Sequence, residues 1–327
     1  MSSQKPLKRF SMILVLLVIF ALSGYDKGTA LAASPYPNTT IKILCHQSVG
    51  GSVDTTARVL AEFASKKLNV PLVIDNVTGA GGRQAFTQLF TSKPDGYILA
   101  TVNSPTIQIG QLAFQGTYKS NEFTYVYGYI DTGHVLAVNE KSPIKTLEDL
   151  VKKLKAGRTT IATMGKGSSS HLQMAAFLEP IGATQNGAYV HFEGSAPQLT
   201  ALLGGNTDVA LTGYGAYAKS AQGLRAIAAF DNQRDSFLKD VPIVAELGHK
   251  NVPVINQVWG FIAPPGMKAE DVKKLADAFD QGVQDKGVIE KFGKIKLAPT
   301  RMMPEKFKKL AVEHYDLTSK YMGMLQK

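Results

Sequence analysis

Residues 73–97 read Val-Ile-Asp-Asn-Val-Thr-Gly-Ala-Gly-Gly-Arg-Gln-Ala-Phe-Thr-Gln-Leu-Phe-Thr-Ser-Lys-Pro-Asp-Gly-Tyr. An apolar run that enters a glycine cluster and leaves into a helix-like run predicts a strand, a turn and a helix. The first N–H groups of a helix have no partner within it, and glycine lets another molecule approach them closely. Residues 79–82 therefore predict an anion site at a helix N-terminus.

The alternation of strands and helices extends in both directions from this stretch. Residues 41–45 predict a strand, 55–68 a helix and 98–102 a third strand, which gives a β-α-β-α-β order and hence a parallel sheet with right-handed crossovers. A second series starts at residue 135. Its predicted strands are 135–138, 160–163, 188–191, 209–211 and 224–229, its helices are 147–155, 171–178 and 196–203, and a strand at 260–263 and helices at 269–283 and 304–321 end the chain. The fold class is α/β, with two lobes around a cleft.

Four loops that follow predicted strands are rich in glycine or hydroxyl residues. They span residues 48–54, 79–82, 165–171 and 194–197, two in each predicted lobe. Each loop alone is compatible with an ordinary helix cap and turn. Ligands of open α/β sheets lie beyond the carboxyl ends of the strands, so the four loops together favour a shared anion site.

The N-terminal segment predicts export. Lys5, Lys8 and Arg9 precede an uninterrupted apolar run at 12–22, and small residues follow near 30–32. This pattern is typical of a secretory signal peptide over residues 1–32, with an uncleaved membrane anchor as the alternative. Tyr25 stands where a lipoprotein box would need cysteine, so lipidation is not available. We expect an extracytoplasmic, periplasmic protein.

Charge and composition argue against several function classes. The net charge of +10 falls to about +7 without the signal segment, and its lysines are dispersed as short pairs, which argues against nucleic acid but favours anionic ligands. The six histidines show no paired metal-ligand spacing, so we expect no metal and no cofactor. Cys45 is the single cysteine and cannot form an internal disulfide.

Enzyme patterns are weaker. No Gly-x-Ser-x-Gly elbow is present, and residues 79–85 match a dinucleotide fingerprint only loosely. Cys45 and His46 are strand neighbours and therefore point to opposite faces. An exported α/β hydrolase that uses Ser169 or Ser195, with His171 as the base, remains the enzymatic alternative; we expect no enzyme.

The motifs together resemble the solute-binding proteins of tripartite tricarboxylate transporters, the Bug family. The resemblance covers essentially the whole chain after the signal and rests on residues 49–54 with Arg58, Asn76 with 79–82, 94–97, 167–172, 194–197, 203–208, 245–248, and 259–260 with 263–266. It implies a type II periplasmic binding protein of the Venus-flytrap kind. One domain would comprise residues 36–135 plus 256–327, and the other residues 136–255.

The resemblance also implies a ligand and partners. The ligand would be a small carboxylate held between the lobes by main-chain and hydroxyl donors, and the monomeric protein would deliver it to integral-membrane permease subunits. A sensor subunit for a membrane receptor is the alternative. The candidate ligand-binding residues are Ser48, Gly50, Gly51, Ser52, Asp54, Ala80, Gly81, Gly82, Asn103, Ser168, Ser169, Ser170, His171, Gly194, Ser195, Ala196 and Asp208.

Three departures from the family pattern bear on specificity. The family usually has Pro-Phe-Ala-Ala at residues 45–48, where this chain has Cys-His-Gln-Ser, so Ser48 adds a candidate donor. Arg83 stands where small or amide residues are usual, and Glu193 where lysine is common. Two interpretations stay open for both charges: solvated helix ends, or cleft residues that favour (Arg83) or disfavour (Glu193) a second carboxylate.

Overall fold

The computed structural model describes residues 36–192 and 194–325. The predicted signal peptide and Glu193 lie outside the described residues. The strands are β1 Ile41–Cys45, β2 Leu72–Asn76, β3 Ile98–Ser104, β4 Thr124–Thr132, β5 His134–Asn139, β6 Thr159–Thr163, β7 Gly187–His191, β8 Val209–Gly213, β9 Leu224–Phe230 and β10 Gln257–Ala263. The α-helices are α1 Ser52–Leu68, α2 Arg83–Phe90, α3 Thr106–Leu112, α4 Leu147–Ala156, α5 Ser169–Leu178, α6 Ser195–Leu203, α7 Tyr214–Lys219, α8 Ala269–Gln284, α9 Lys286–Lys294 and α10 Pro304–Leu325.

Two five-stranded sheets form the two lobes. The first lobe has the strand order β2-β1-β3-β10-β4, and the second lobe has the order β7-β6-β8-β5-β9. Each sheet packs on buried aliphatic and aromatic side chains, with Phe86 and Phe307 in the first lobe and Phe177 and Phe230 in the second. The predicted α/β class with two lobes is confirmed.

Both sheets are mixed rather than wholly parallel. Strands β1, β2 and β3 pair in parallel, as predicted, but β10 pairs antiparallel with β3 and with β4. In the second lobe β5 pairs antiparallel with β8 and β9, whereas β6 pairs in parallel with β7 and β8. The antiparallel strands flank the points where the chain passes between lobes, so the chain returns without a crossover helix.

Several elements escaped the sequence prediction. They are strand β4 and helices α3, α7 and α9. Strand β4 is rich in tyrosine and lies between two short segments without clear periodicity. The three helices have only 7, 6 and 9 residues. Short runs of this kind carry weak periodic signals. No helix among the described residues combines the length and apolar character needed to cross a bilayer.

The lobes also meet away from the strand connections. Buried side chains of α3, α5 and α10 pack together, among them Ile109, Leu172 and Tyr321, with Ile255 from the segment that enters β10. Tyr321 Oη donates to Glu179 at 2.9 Å, which fixes α10 to the end of α5. The two lobes are therefore joined by packed helices as well as by the strand connections.

Candidate functional site

A cavity of about 620 Å³ lies between the strand ends of the two lobes, within the range of small-molecule sites. The register explains why these ends meet: the carboxyl ends of β1, β2, β3 and β4 and the amino end of β10 share one edge of the first sheet. The lining residues are His46, Gln47, Ser48, Gly51, Ser52, Thr78, Gly79, Thr132, Met164, Gly194, Ser195, Gly213, Tyr214, Gly215, Ala216, Gln257, Trp259, Ile295 and Leu297.

The loop before α1 is held in place by Asp54, which is 1% exposed. Its carboxylate accepts from Arg58 Nε at 3.0 Å, from Asn76 Nδ2 at 2.8 Å and from the Gly50 N–H at 2.9 Å. Burial alone would raise the pKa of Asp54, but the hydrogen bonds from Arg58, Asn76 and Gly50 lower it overall. Asp54 therefore stays ionised and fixes the loop that carries Ser48, rather than lining the cavity.

The glycine turn after β2 takes a backbone that side chains disfavour. Gly79, Ala80, Gly81 and Gly82 have φ values of 132°, 49°, 67° and 90°. A Cβ on Gly82 would lie 3.1 Å from His46 Cβ and 3.0 Å from Phe86 Cε2, so glycine is required there for space as well as for φ. Within residues 78–82, Thr78 and Gly79 line the cavity and Ala80, Gly81 and Gly82 do not.

The second lobe supplies the start of α6. Its N-cap is Gly194, so no side chain caps the helix, and Ser195 at its first position lines the cavity. Helix α1 of the first lobe is likewise capped by a glycine, Gly51, without a side-chain hydrogen bond. Three helix N-termini without side-chain caps thus contribute to the same cavity: that of α1 in the first lobe and those of α6 and the six-residue α7, capped by Gly213, in the second.

The polar groups of the loop at 165–171 form hydrogen bonds within the loop. Ser168 caps α5 by accepting from the His171 N–H at 3.2 Å, and the Met164 N–H donates to Ser170 Oγ at 3.0 Å. The Gly167 N–H donates to His171 Nδ1 at 3.1 Å. Burial, followed by the nearby positive charge, lowers the pKa of His171 to about 3, so the ring is neutral. The loop shapes the start of α5.

A chain of polar contacts crosses from one lobe to the other behind the cavity. Asn103 Nδ2 donates to Gln257 Oε1 at 3.1 Å, and Gln257 Nε2 lies 3.3 Å from His134 Nε2. Ser169 Oγ lies 3.1 Å from the same His134 nitrogen. Burial lowers the pKa of His134 to about 3, so its neutral ring can accept from Gln257. Asn103 and Ser169 therefore connect the lobes and do not line the cavity.

Sequence reasoning missed the residues at the connection between the lobes. Gln257 and Trp259 on β10, Tyr214 at the start of α7, and Ile295 and Leu297 after α9 all line the cavity. The Gly213-Tyr214-Gly215 triplet, directly after β8, was the signal that could have marked Tyr214. Ile295 and Leu297 carry no such signal, because they reach the cavity from a segment far along the chain.

The predicted site residues divide into two groups. Ser48, Gly51, Ser52, Gly194 and Ser195 line the cavity, whereas the lining does not include Gly50, Asp54, Ala80, Gly81, Gly82, Asn103, Ser168, Ser169, Ser170, His171, Ala196 and Asp208. The structure places Asp208 before β8, where its carboxylate accepts from the Thr160 N–H at 2.7 Å and pairs with Lys153 at 3.4 Å. Arg83 lies over the Phe114 ring, 5.1 Å from its centroid.

The described lining contains no lysine, arginine, aspartate or glutamate. His46 is its histidine, and burial lowers the pKa of His46 to about 4, so it is neutral at pH 7. Among residues 36–192 and 194–325 no three metal-ligating side chains come together. The arrangement can hold an anion through neutral donors and helix N-termini. The predicted pairing of Ser169 with His171 is not formed, because His171 Nδ1 accepts from the Gly167 N–H and the Ser169 hydroxyl contacts the buried His134 instead.

Comparison with known proteins places this chain in a family. A sequence model described as Tripartite tricarboxylate transporter family receptor matches residues 56–323. Protein BugT of Bordetella pertussis is 29% identical over 299 residues, which cover 88% of this chain and 91% of that protein. A protein encoded in the gbd 5′ region of Cupriavidus necator is 29% identical over 287 residues, covering 86% of each chain.

Solved structures share the two-lobed fold. A TctC solute-binding protein from Polaromonas superposes with a TM-score of 0.76 at 22% identity, covering 88% of this chain and 98% of that one. MatC from Rhodopseudomonas palustris, solved with bound malate, gives a TM-score of 0.73 at 23% identity, covering 89% of this chain and 100% of that one. The resemblance drawn from the loop motifs is confirmed: the chain belongs to the tripartite tricarboxylate transporter receptor family of solute-binding proteins.

Proposed function

We propose that this protein is exported to the periplasm, binds a small carboxylate in the cavity between its lobes and delivers it to membrane permease subunits. It acts as a monomeric receptor and performs no chemistry on its ligand. The lobes are residues 36–135 plus 256–327 and residues 136–255. The composition of the two sheets supports these boundaries to within two residues, since β5 of the second lobe starts at His134.

One observation carries the proposal: unsatisfied donors from both lobes face a cavity that lacks charged side chains. Helices α1 and α6 begin at the cavity with glycine caps. Six cavity hydroxyls, those of Ser48, Ser52, Thr78, Thr132, Ser195 and Tyr214, have no hydrogen-bond partner within the described part of the chain. Helix N-termini carry partial positive charge, so these groups favour an anion that accepts several hydrogen bonds.

The energies are sufficient for a useful affinity. A hydrogen bond to a charged group contributes roughly 1.5–3 kcal/mol, and micromolar binding needs about 8 kcal/mol net. Several donors from two facing loops can reach that value after the cost of ordering the complex. The malate bound to MatC is a carboxylate, which supports the same ligand class for this chain.

Thermal-shift screening of the purified mature protein against a carboxylate panel tests the proposal, because a ligand that binds the native state raises the melting temperature. Calorimetry then gives the affinity of any hit. Ser195→Ala removes one donor, and we expect binding to weaken about tenfold or more. Ser236→Ala is the matched control, since Ser236 is an exposed serine of the second lobe outside the lining. A panel without a hit would contradict the proposal.

A further inference from the structure

The two ends of the cavity differ in chemistry. In the first sheet β1 and β2 occupy one side, while β10 and β4 occupy the other, so three strand spacings, about 14 Å, separate β1 from β4. In the second sheet β7 precedes α6 and β8 precedes α7. Two strand spacings separate β7 from β8, because β6 lies between them. We call the side of β1, β2 and β7 the loop end, and the side of β4, β10 and β8 the hinge end.

The loop end carries the concentration of donors. Ser48, Ser52 and Thr78 follow β1 and β2, and Ser195 opposes them from the second lobe. The two longer glycine-capped helices, α1 of 17 residues and α6 of 9 residues, begin here. This end therefore suits one carboxylate.

The hinge end is mainly apolar. Leu297 and Ile295 line it from the segment that continues along the outer edge of β4, where the Thr300 N–H donates to the Tyr129 carbonyl at 2.9 Å. Ala216 and the Tyr214 ring line it from the second lobe. A Cβ on Gly215 would lie 3.4 Å from the Ile295 carbonyl oxygen, so the two lobes come close here.

Few polar groups at the hinge end remain available to a ligand. Both ends of the Gln257 amide are engaged, by Asn103 and by His134. Trp259 Nε1 and Tyr214 Oη have no hydrogen-bond partner among the described residues, and with the Thr132 hydroxyl at the end of β4 they are the neutral polar groups left at this end. Helix α7 has only six residues, too short to provide a strong N-terminal field.

Negative charge lies close behind the hinge end. Asp131 at the end of β4 and Asp231 after β9 share one donor, since Asn256 Nδ2 contacts Asp131 Oδ1 at 2.7 Å and Asp231 Oδ1 at 3.2 Å. Burial raises the pKa of the Tyr214 hydroxyl, and the Asp231 charge raises it further, so the field of Asp231 reaches the hinge-end lining. A second carboxylate placed here would be desolvated, with no cationic side chain in the described lining and beside like charge, of which only that of Asp131 is partly offset by Lys306.

We propose that the ligand is a monocarboxylate with an apolar body, its carboxylate at the loop end and its body against Leu297, Ile295 and Tyr214 at the hinge end. This inference rests on the proposed function and narrows it. It separates this chain from MatC, whose bound malate carries two carboxylates.

Matched pairs of acids test the inference. Hexanoate and adipate have the same carbon chain and differ in one carboxylate, and benzoate and terephthalate form a rigid pair. We expect calorimetry at pH 7.5 to show hexanoate or benzoate binding at least tenfold more tightly than its dicarboxylate partner. If a dicarboxylate of either pair binds as tightly as its monocarboxylate, the inference is overturned while the proposed function stands. If no acid of the pairs or of the wider panel binds, the proposed function is overturned as well.

Variants of the hinge end provide a second arm. Ala216→Lys adds a cation at a half-buried lining position and removes no core side chain, so we expect adipate to gain at least tenfold relative to hexanoate. Leu297→Gln should lower the affinity for hexanoate at least threefold and should not raise the affinity for adipate by as large a factor. Ala156→Lys, at an exposed position of α4, is the control for added charge and should leave the ratio unchanged. An adipate-to-hexanoate ratio that Ala216→Lys leaves at the wild-type value would contradict the inference.

Discussion

His134 Nε2 of the second lobe lies 3.3 Å from Gln257 Nε2 of the first lobe. Because Gln257 Oε1 accepts from Asn103, its amide nitrogen is the group that faces His134. The amide donates, so His134 must keep the facing nitrogen unprotonated. The contact joins the lobes beside the cavity and requires a neutral imidazole.

Replacing Gln257 tests the energetic weight of this contact. Gln257→Leu leaves Asn103 Nδ2 without its partner in a buried setting and leaves His134 Nε2 with Ser169 Oγ alone, and an unsatisfied buried group costs about 1–3 kcal/mol. We expect the free energy of unfolding, measured with urea, to fall by about 3 kcal/mol. Gln88→Leu on the exposed face of α2 is the control and should change it by less than about 0.5 kcal/mol. Equal effects of the two substitutions would show that the contact contributes nothing.

Buried histidines predict that the protein loses stability in mild acid. Burial lowers the pKa values of His46 and His314 to about 4, and burial together with nearby charge lowers that of His171 to about 3, matching His134. The unfolded chain binds a proton at each of these sites below about pH 6.5, whereas the folded chain does not. Stability is therefore fully present above pH 6.5 and falls as the pH drops toward 4, by about 1.4 kcal/mol per histidine and pH unit.

The histidine contribution can be isolated with one variant. His314 contacts Ser104 Oγ at 2.8 Å and is not part of the cavity lining, and glutamine can keep a polar contact there without titrating. We expect His314→Gln to reduce the slope of the unfolding free energy against pH, at pH 5, by about 1.4 kcal/mol per pH unit. This slope corresponds to one proton fewer taken up on unfolding. Urea melts at pH 5, 6 and 7 measure this slope. An unchanged slope would mean that His314 titrates alike in both states.

The hydrogen bonds of Asp54 hold the loop before α1, so we expect removal of its charge to lower the free energy of unfolding. Asp54→Asn removes the charge that Arg58 and the Gly50 N–H contact, and since Arg58 is half-exposed we expect a loss of about 2 kcal/mol. Asp75→Asn is the control, because the Asp75–Lys42 pair is solvent-exposed on both sides and should contribute less than about 1 kcal/mol. Chemical denaturation of both variants measures the two losses in the free energy of unfolding. A larger effect at Asp75 would contradict the assigned role.

Gly82 predicts a steric requirement beyond backbone conformation. Gly82→Ala must accept a φ of 90° and place its Cβ against His46 and Phe86. Gly182→Ala shares the positive φ, at 69°, but has no atom within 4 Å of the new Cβ. We expect the Gly82 variant to lose about 2 kcal/mol more than the Gly182 variant, as differential scanning calorimetry would measure. Equal losses would mean that the turn can move away from His46.

The local elements and the loops could be predicted from the sequence. Glycine and hydroxyl residues between an apolar run and an amphipathic helix identify a strand-end loop, and Ser48, Gly51 and Ser195 indeed line the cavity. The same composition, however, also describes loops that cap their own helix. At 165–171 the hydroxyls of Ser168 and Ser170 bond within the loop, and sequence composition does not distinguish these two uses.

The hinge end could not be predicted from local pattern. Trp259 and Leu297 come from segments that return to the first lobe after the whole second lobe has been built. Their place depends on β10 pairing antiparallel with both β3 and β4, a tertiary choice that the alternation of strands and helices does not encode. Asp208 differs from the other candidate residues in its position, because it stands before a strand and not after one.

The fluorescence of Trp259 tests the central claim most directly, because it is the single tryptophan of the chain and lines the cavity. The account predicts a saturable change in its emission when a carboxylate that stabilises the protein, such as hexanoate, is titrated at pH 7.5. The midpoint should agree with calorimetry and shift to higher concentration in Ser195→Ala. Calorimetric binding of the carboxylate with unaltered Trp259 emission and unaltered affinity in Ser195→Ala would place the ligand elsewhere and contradict the account.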